Sequence, residues 1–317
     1  MGIQTPLTHV LGIAHPILSA PMDLVADARL TAAVSAAGGL GLLGGAYGDQ
    51  QWLTRELDRL AQLGARFGVG FITWSLAKQP ALLDLALERK PVAIMLSFGD
   101  PRPFVARIKR AGALFLCQVQ SLGLAREAVA AGADMLIAQG TEGGGHGATR
   151  GLMTLLPEVV DAVGPRVPVI AAGGIADGRG LAAALLLGAA GVLVGTRFYA
   201  TQEAAGAQAA KERICAATGD DTIRSIVFDI SRRNVWPPPF TGRCLRNAHL
   251  DRWLGRELDL IRDQEAAAAA YAAARQADNF DIAAVIAGEA AGLIRDIPPV
   301  SEFVDRMVRD AATLLGR

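Results

Sequence analysis

The sequence predicts an α/β protein, a TIM (β/α)8 barrel with a mostly helical insertion after strand eight. Short apolar segments alternate with helix-like segments at regular spacing from His15 to Gly195, and there are eight such apolar segments. This regularity stops between Tyr199 and Ile286. An open doubly wound sheet is the competing architecture, but eight regular units without a long interruption favour closure. We therefore expect one barrel whose sequence is interrupted once.

The first four units extend from His15 to Arg110. Helices are assigned where apolar residues recur every three or four positions, as Leu53, Leu57 and Leu60 do. Strands are assigned to short, continuous apolar runs, which suit a parallel sheet that is covered on both faces. Strands and helices alternate, and in chain order they are residues 15–20, 28–37, 40–43, 52–63, 67–73, 82–87, 92–98 and 103–110.

The next four units follow the same pattern up to Gly195. Alanine-rich helix ends are followed by Gly38, Gly132 and Gly188, which suit the left-handed position after a helix C-terminus. The predicted strands are residues 114–119, 135–139, 167–172 and 192–195, and the helices between them are residues 122–131, 157–163 and 180–187.

The insertion is predicted to cap the mouth of the barrel. Helical composition is found at residues 204–217 and 250–275. Between them lies Trp236–Gly242, whose three successive prolines exclude helix interior and central strand. A mostly helical segment interrupted by an irregular loop is therefore expected.

The end of the chain is predicted to complete the barrel. Glu302 and Asp305 suit the first turn of a helix over residues 301–315. The expected domains are thus a barrel of residues 1–200 and 287–317, and a helical lid or substrate domain of residues 201–286.

Composition restricts the class of function. The chain has 317 residues, of which 51% are hydrophobic, so it can bury a large core. Lys+Arg and Asp+Glu both number 31, and this balance argues against binding to nucleic acid or to a membrane surface, which requires a basic face. No apolar stretch approaches the ~20 residues that span a bilayer, and no signal peptide is expected. Three widely separated cysteines without zinc or disulfide spacing indicate a reducing cytoplasm.

The main functional signal is a glycine-rich loop, Gly140–Gly147, directly after the sixth strand. Successive glycines such as Gly144 and Gly145 cost backbone entropy, so they indicate a backbone that approaches a flat or anionic ligand closely. His146 lies among them, and an unperturbed histidine exchanges a proton at a pKa of ~6.5. The alternative is a flexible loop with an incidental histidine. Glu142 suggests a metal, but no third ligand is found.

Two further loops predict a phosphate site. The seventh strand runs into Gly173 and Gly174, and the eighth strand ends in Gly195 and Thr196. In TIM barrels, the loops after strands seven and eight commonly bind phosphate at a helix N-terminus. The alternative is that these glycines only permit tight turns. Arg197 is expected to anchor the lid rather than to neutralise the phosphate.

Two other sequence patterns could mark a binding site. Gln118 and Gln139 end strands five and six, where a polar side chain is either a ligand contact or part of a core hydrogen-bond network. Gly39–Gly44 matches G-x-G-x-x-G, but a helix precedes it and the glycines flank or interrupt a strand. We therefore reject a dinucleotide fingerprint at Gly39–Gly44.

These segments together resemble the nitronate monooxygenase (2-nitropropane dioxygenase) family. The resemblance is carried by Gln139–Gly147, Ala172–Gly178 and Gly195–Phe198, and it extends from His15 to Asp296. It implies an FMN-binding TIM barrel with a helical substrate domain. Near relatives of the family include flavin-dependent enoyl reductases and some NAD(P)H:quinone reductases.

The resemblance also implies roles for individual residues. His146 matches the family's catalytic histidine. Gly70 stands where many relatives have Asn, and Gln118 where some have Lys, so a neutral amide replaces a charge that would stabilise reduced anionic flavin. No metal is expected. The implied cofactor-binding residues are Ala20, Pro21, Met22, Gly70, Gln118, Gln139, Gly144, Gly145, Gly173, Gly174, Gly195 and Thr196.

The predicted activity is oxidation of an alkyl nitronate by O2 to a carbonyl compound and nitrite. Protonated His146 would hold the anionic nitronate, whereas neutral His146 would remove the α-proton of a nitroalkane. The alternative is an NAD(P)H-dependent flavin reductase of enoyl thioesters or quinones, with residues 236–246 contacting the dinucleotide. A barrel that carries FMN without turnover is disfavoured by the position of His146. The expected partners are a nitronate or nitroalkane and O2, without nucleic acid or membrane, and a homodimer is left open.

Overall fold

Eight parallel strands form one sheet that curls into a barrel, and this confirms the predicted fold class. The computed structural model describes residues 3–316. The first nine strands in chain order are β1 (Ile17–Ser19), β2 (Leu42–Ala46), β3 (Gly68–Ile72), β4 (Ala93–Ser97), β5 (Leu114–Val119), β6 (Met135–Gln139), β7 (Gly145–Gly147), β8 (Val169–Ala172) and β9 (Gly191–Val194). All of them except β7 belong to the barrel. The strand order is β1-β9-β8-β6-β5-β4-β3-β2, and a parallel bridge between Leu18 and Leu40 joins its two ends.

Helices cover the outside of this barrel. Several begin at an acidic or hydroxyl side chain that accepts a backbone N–H of the first turn, as Asp27, Asp49, Ser121 and Asp177 do. The helices up to the end of β9 are α1 (Pro6–Leu11), α2 (Ala28–Ala36), α3 (Gln50–Gln62), α4 (Thr73–Leu76), α5 (Ala81–Leu87), α6 (Arg102–Arg110), α7 (Leu122–Ala130), α8 (Leu152–Val163) and α9 (Gly178–Leu186).

The core has an inner and an outer layer. Inside the barrel, apolar side chains from alternate strand positions meet, among them Leu18, Met95 and Ile170. Leu7 and Leu11 of α1 belong to this inner cluster, so a helix that the sequence pattern did not predict fills the end of the barrel opposite the site. The outer layer lies between strands and helices and is much larger.

Two boundaries differ from the prediction for physical reasons. Strand β2 was predicted to end at residue 43. It continues instead through Gly44 and Gly45, and its pairing register with β3 shifts there. A Cβ at Gly45 would lie 2.5 Å from the Phe71 ring, so the glycine admits that ring. Helix α8 begins at Leu152 rather than at residue 157, because the Glu142 carboxylate accepts the Leu152 N–H at 2.9 Å.

The segment after β9 is less helical than predicted. Its elements are α10 (Thr196–Tyr199), α11 (Gln208–Ala216), β10 (Thr222–Ser225), α12 (Val227–Ser231), β11 (Thr241–Leu245), α13 (Ala248–Trp253), α14 (Glu257–Arg262) and α15 (Gln264–Gln276). The helical composition at residues 250–275 corresponds to three helices, since Gly255, with a φ of 78°, separates α13 from α14, and Asp263 separates α14 from α15. The division at residues 201 and 286 stays a prediction.

A small antiparallel sheet joins this segment to the barrel. Its order is β10-β11-β7, and β7 is part of the glycine loop after β6. Gly242 lies opposite His146 in the pairing of β11 with β7. The glycine loop is therefore a strand of a sheet rather than a flexible connection.

Helix α16 (Val300–Leu314) closes the barrel by packing on α9 and α2. Phe303 on its buried face meets the Phe198 ring edge-on, with the centroids 5.1 Å apart. Among the residues from 3 to 316, no helix has the length and apolar character needed to cross a membrane.

We expect Phe303→Ala to lower the free energy of unfolding by about 3–5 kcal/mol, because a large, fully buried ring leaves a cavity. Urea unfolding followed by circular dichroism measures this change. The matched control is Leu314→Ala on the same helix, where the side chain is 59% exposed, and a change within about 0.5 kcal/mol is expected. Equal effects of the two substitutions would contradict the packing role of Phe303.

Candidate active site

One cavity contains every residue that the sequence singled out for a site. It lies at the carboxyl ends of the barrel strands and has a volume of about 390 Å³. This is within the range of roughly 300–1,000 Å³ that is usual for small-molecule sites. The predicted residues that line it are Ala20, Pro21, Met22, Gly70, Gln118, Gln139, Gly144, Gly145, His146, Gly173, Gly174, Gly195 and Thr196.

His146 forms a close pair with a carboxylate that the sequence analysis did not identify. Its Nε2 lies 2.9 Å from Asp229 Oδ1 and 3.0 Å from Oδ2. Both side chains are nearly buried, at 10% and 8% exposure. Asp229 lies on α12, 83 residues further along the chain, in a segment without a recognisable motif. No local sequence signal could have identified this partner.

Burial and Asp229 have opposite effects on the pKa of His146. Desolvation lowers the pKa below its ordinary value, and the hydrogen bond and charge of Asp229 oppose this without reversing it. The ring is therefore neutral at pH 7. In the neutral tautomer that donates Nε2–H to Asp229, Nδ1 carries the free lone pair. A histidine in this state can accept a proton from a molecule in the cavity.

Three glutamines fix the backbone at this histidine. Gln139 donates through Nε2 to the His146 carbonyl oxygen at 2.9 Å. Its Oε1 accepts N–H groups from Gln118 at 3.0 Å and from Gln120 at 2.8 Å. Gln118 and Gln139 thus belong to a core hydrogen-bond network and also line the cavity. Both alternatives left open by the sequence apply to them.

Trp236 covers one face of His146. The two rings stack with their centroids 3.4 Å apart and their planes 6° from parallel. Trp236 Nε1 donates to the Tyr47 hydroxyl at 3.0 Å, and burial raises the pKa of Tyr47 to about 12. Phe98 meets Trp236 edge-on at 5.1 Å. The Pro-rich loop was expected near the mouth, but its contact with His146 was not.

The glycines of the cavity fall into two groups. A Cβ at Gly144 would lie 2.7 Å from the Ala287 backbone, and one at Gly70 would lie 2.2 Å from Pro21 Cγ. At Gly173 the Gly140 carbonyl oxygen would be 3.0 Å away. These glycines permit close packing within the protein, and Pro21 fills the space beside Gly70.

Gly174 and Gly195 differ, because an added Cβ would make only ordinary van der Waals contacts with the protein. A Cβ at Gly174 meets nothing closer than 3.4 Å, and one at Gly195 nothing closer than 3.5 Å. Within residues 3–316, no acceptor takes up the backbone N–H groups of Gly174, Gly195 or Thr196. These three N–H groups remain available for an anionic group, as a phosphate cradle requires.

Other candidates have structural partners. Arg197 pairs with Asp296 Oδ1 at 2.7 Å and does not serve the phosphate loops. A Cβ at Gly41 would lie 2.0 Å from the Thr31 carbonyl oxygen, which explains a glycine of the rejected dinucleotide pattern by packing on α2. In the part of the chain that the structure describes, no three His, Cys, Asp or Glu side chains are arranged to hold a metal.

Comparisons with known proteins show similarity over nearly the whole chain. The family model described as nitronate monooxygenase matches residues 4–81 and 72–310. The nitronate monooxygenase npaC of Metarhizium robertsii is 36% identical, over 93% of this chain and 90% of that protein. The (3aS,4S,5R,7aS)-5-hydroxy-7a-methyl-1-oxo-octahydro-1H-indene-4-carboxyl-CoA dehydrogenase of Mycobacterium tuberculosis is 33% identical, over 99% of this chain and 98% of that protein.

Solved structures show the same likeness. FabK from Thermotoga maritima superposes with a TM-score of 0.88 at 31% identity, covering 99% of this chain and 98% of that one. A nitroalkane oxidase from Streptomyces ansochromogenes gives a TM-score of 0.83 at 29% identity, with 98% and 99% covered.

We expect Asp229→Asn to lower the pKa of His146 further, because the substitution removes the charge that opposes desolvation. The chemical shift of the His146 Cε1 proton, followed by NMR against pH, measures this change. His249 is an internal control, because its ring is hydrogen-bonded to Ser231 rather than to Asp229. Its pKa should therefore not change in Asp229→Asn. An unchanged or raised pKa of His146 would contradict the assigned pairing.

Proposed function

Since the chain belongs to the nitronate monooxygenase family of oxidoreductases, we propose that it is an FMN-dependent enzyme that oxidises alkyl nitronates, or nitroalkanes, with O2 to a carbonyl compound and nitrite. The observation that carries this proposal is the pairing of His146 with Asp229 at the cavity. The neutral ring, held by a carboxylate through Nε2, suits removal of the acidic α-proton of a nitroalkane by Nδ1.

FMN fits the residues that are present. The backbone N–H groups of Gly174, Gly195 and Thr196, which have no acceptor among residues 3–316, suit its phosphate. Gln118 and Gly145 would border the ring system. When bound, FMN supplies the acceptor for the substrate's electrons and their transfer to O2. The protein positions the substrate, excludes water and moves the proton at His146.

A second candidate is an oxidoreductase of acyl-CoA thioesters that uses NAD(P)H, in line with the names of some relatives. One feature favours it. A surface groove of about 660 Å³ adjoins the cavity and shares Asp23, Tyr47, Arg232 and Tyr271 with it. A substrate with a long tail could extend along this groove while its reactive end lies at His146.

We expect the purified protein to release FMN on denaturation. Gly195→Ala should weaken FMN binding about 10- to 100-fold, because the added methyl group would hold the phosphate away from the backbone N–H groups, and the loss of one hydrogen bond to a charged group has an effect of this size. Released flavin is identified by HPLC, and affinity is measured by fluorescence titration of apoprotein. Gly123→Ala, on α7 with open space beside it, is the matched control. Release of FAD, or unchanged affinity in Gly195→Ala, would refute the cradle.

The two candidate functions differ in what reduces the flavin. Under anaerobic conditions we expect a nitronate to bleach the oxidised flavin band faster than NADH or NADPH does, because no adenine-nucleotide motif is found in the sequence. Stopped-flow absorbance measures both rates. Rapid bleaching by NADPH without a response to nitronates would replace the first function by the second.

His146→Asn separates two roles of the histidine. With a neutral nitroalkane we expect turnover to fall about 10²–10⁴-fold, since general base catalysis is lost. With the preformed nitronate, which needs no deprotonation, the loss should be much smaller. Steady-state rates with both forms of one compound provide the comparison, and equal losses would argue against proton abstraction by His146.

A further inference from the structure

Arg232 is a nearly buried cation without hydrogen bonds from its side chain. It follows α12 directly, and its side chain is 12% exposed. Its guanidinium carries five N–H donors. Within residues 3–316 none of them donates a hydrogen bond to the protein; the nearest carboxylate oxygen, Asp23 Oδ2, lies 3.5 Å away. The guanidinium lines both the cavity and the adjoining groove.

The surroundings of Arg232 keep it charged. Nearby acidic groups, Tyr47, Tyr271, Asp23 and Asp229, raise its pKa and outweigh the desolvation that would lower it. The guanidinium also lies over the Tyr47 ring, with its central carbon 5.3 Å from the centroid. Tyr47, with a pKa of about 12, is neutral at pH 7 and raises the pKa of Arg232 only where its hydroxyl is ionised, so at pH 7 it offsets none of the positive charge. Only Asp23 is a direct counter-ion, and its contact lacks hydrogen-bond geometry.

Other buried arginines of this chain are used differently. Arg197, 3% exposed, donates to Asp296 and to the carbonyl oxygen of Ala200. Arg224 donates to the carbonyl oxygens of Thr141 and Gly143 at 2.9 and 3.1 Å. Buried charged groups are costly unless they are hydrogen-bonded. Arg232, which lines the cavity, lacks such acceptors among residues 3–316.

We propose that Arg232 binds the anionic group of the substrate, and that the substrate class is a planar anion with two terminal oxygens, a nitronate or a carboxylate. The planar guanidinium matches such an anion with two parallel N–H···O bonds. Asp229 and Arg232 are three residues apart at the end of one short helix. The carboxylate that holds His146 and the anion-binding group thus lie on the same element.

This inference deepens the proposed function, since it names the residue that receives the nitronate. It can be tested by measuring anion binding without catalytic turnover. The inference and the proposed function can therefore fail separately. Purified protein is titrated calorimetrically with sodium nitrate, a planar oxyanion, and with sodium benzoate as the carboxylate, at constant ionic strength. Sodium chloride is the spherical control anion. The variants are Arg232→Met, Arg232→Lys and Arg233→Met, the last at an exposed neighbouring arginine.

We expect nitrate and benzoate to bind the wild type and Arg233→Met equally, with chloride at least about tenfold weaker. Arg232→Met should weaken binding roughly 10- to 100-fold, the loss expected for charge-assisted hydrogen bonds, and Arg232→Lys should lie between. Binding of benzoate but not nitrate would assign the site to a carboxylate, and binding of nitrate but not benzoate to a nitronate-sized group.

Steady-state kinetics give a second readout. In Arg232→Met, KM for the nitronate should rise by a similar factor while KM for the neutral nitroalkane changes little. Absence of anion binding by the wild type would overturn the proposal. So would equal anion affinity in all variants, or loss of flavin from Arg232→Met with anion binding intact, which would assign Arg232 to the cofactor. If Arg232→Met does not fold, Arg232→Lys and competition between nitrate and nitronate in the wild type decide.

Discussion

The backbone pairing between β7 and β11 is the interaction on which the arrangement of the cavity depends. It turns three residues of a glycine loop into a strand and thereby fixes the direction of the His146 side chain. Arg224 strengthens it by donating to the carbonyl oxygens of Thr141, Gly143 and Gly145. Since α12 lies between β10 and β11 in the chain, the same pairing brings Asp229 to Nε2 of the imidazole.

Much of the barrel could be predicted from local sequence, because its signals are local. Continuous apolar runs, alanine-rich helix ends and the glycines that follow them recur at each unit, and strands β3 to β6 were placed to within about two residues. The loops after strands also follow from topology alone, since parallel strands end on the same side of a barrel. For this reason the glycine loop and the two phosphate loops could be assigned to one end of the barrel, whereas Ala20, Pro21, Met22 and Gly70 were added by the family resemblance.

What could not be predicted depends on contacts between distant residues. A strand of sequence Gly-His-Gly has no β propensity of its own, and it forms only because β11 offers a partner. The segments that contain Asp229, Arg232 and Trp236 have no apolar periodicity. The roles of these residues follow from their contacts with His146 and with the cavity in the folded chain. Gly45 illustrates the same limit on a small scale, since its role is to admit a ring from the neighbouring strand.

The sheet that β7 shares with β11 also limits which part of the segment above the barrel can move. A hinge motion of the whole segment above the barrel would break main-chain hydrogen bonds to β7, whereas residues 233–240 contain no helix or strand and are held near the cavity by the indole of Trp236. We expect rotation of the Trp236 side chain to have a lower energy barrier than opening of the sheet. Exit of a product past this loop would therefore disturb aromatic packing and leave the main-chain pairing of β7 with β11 intact.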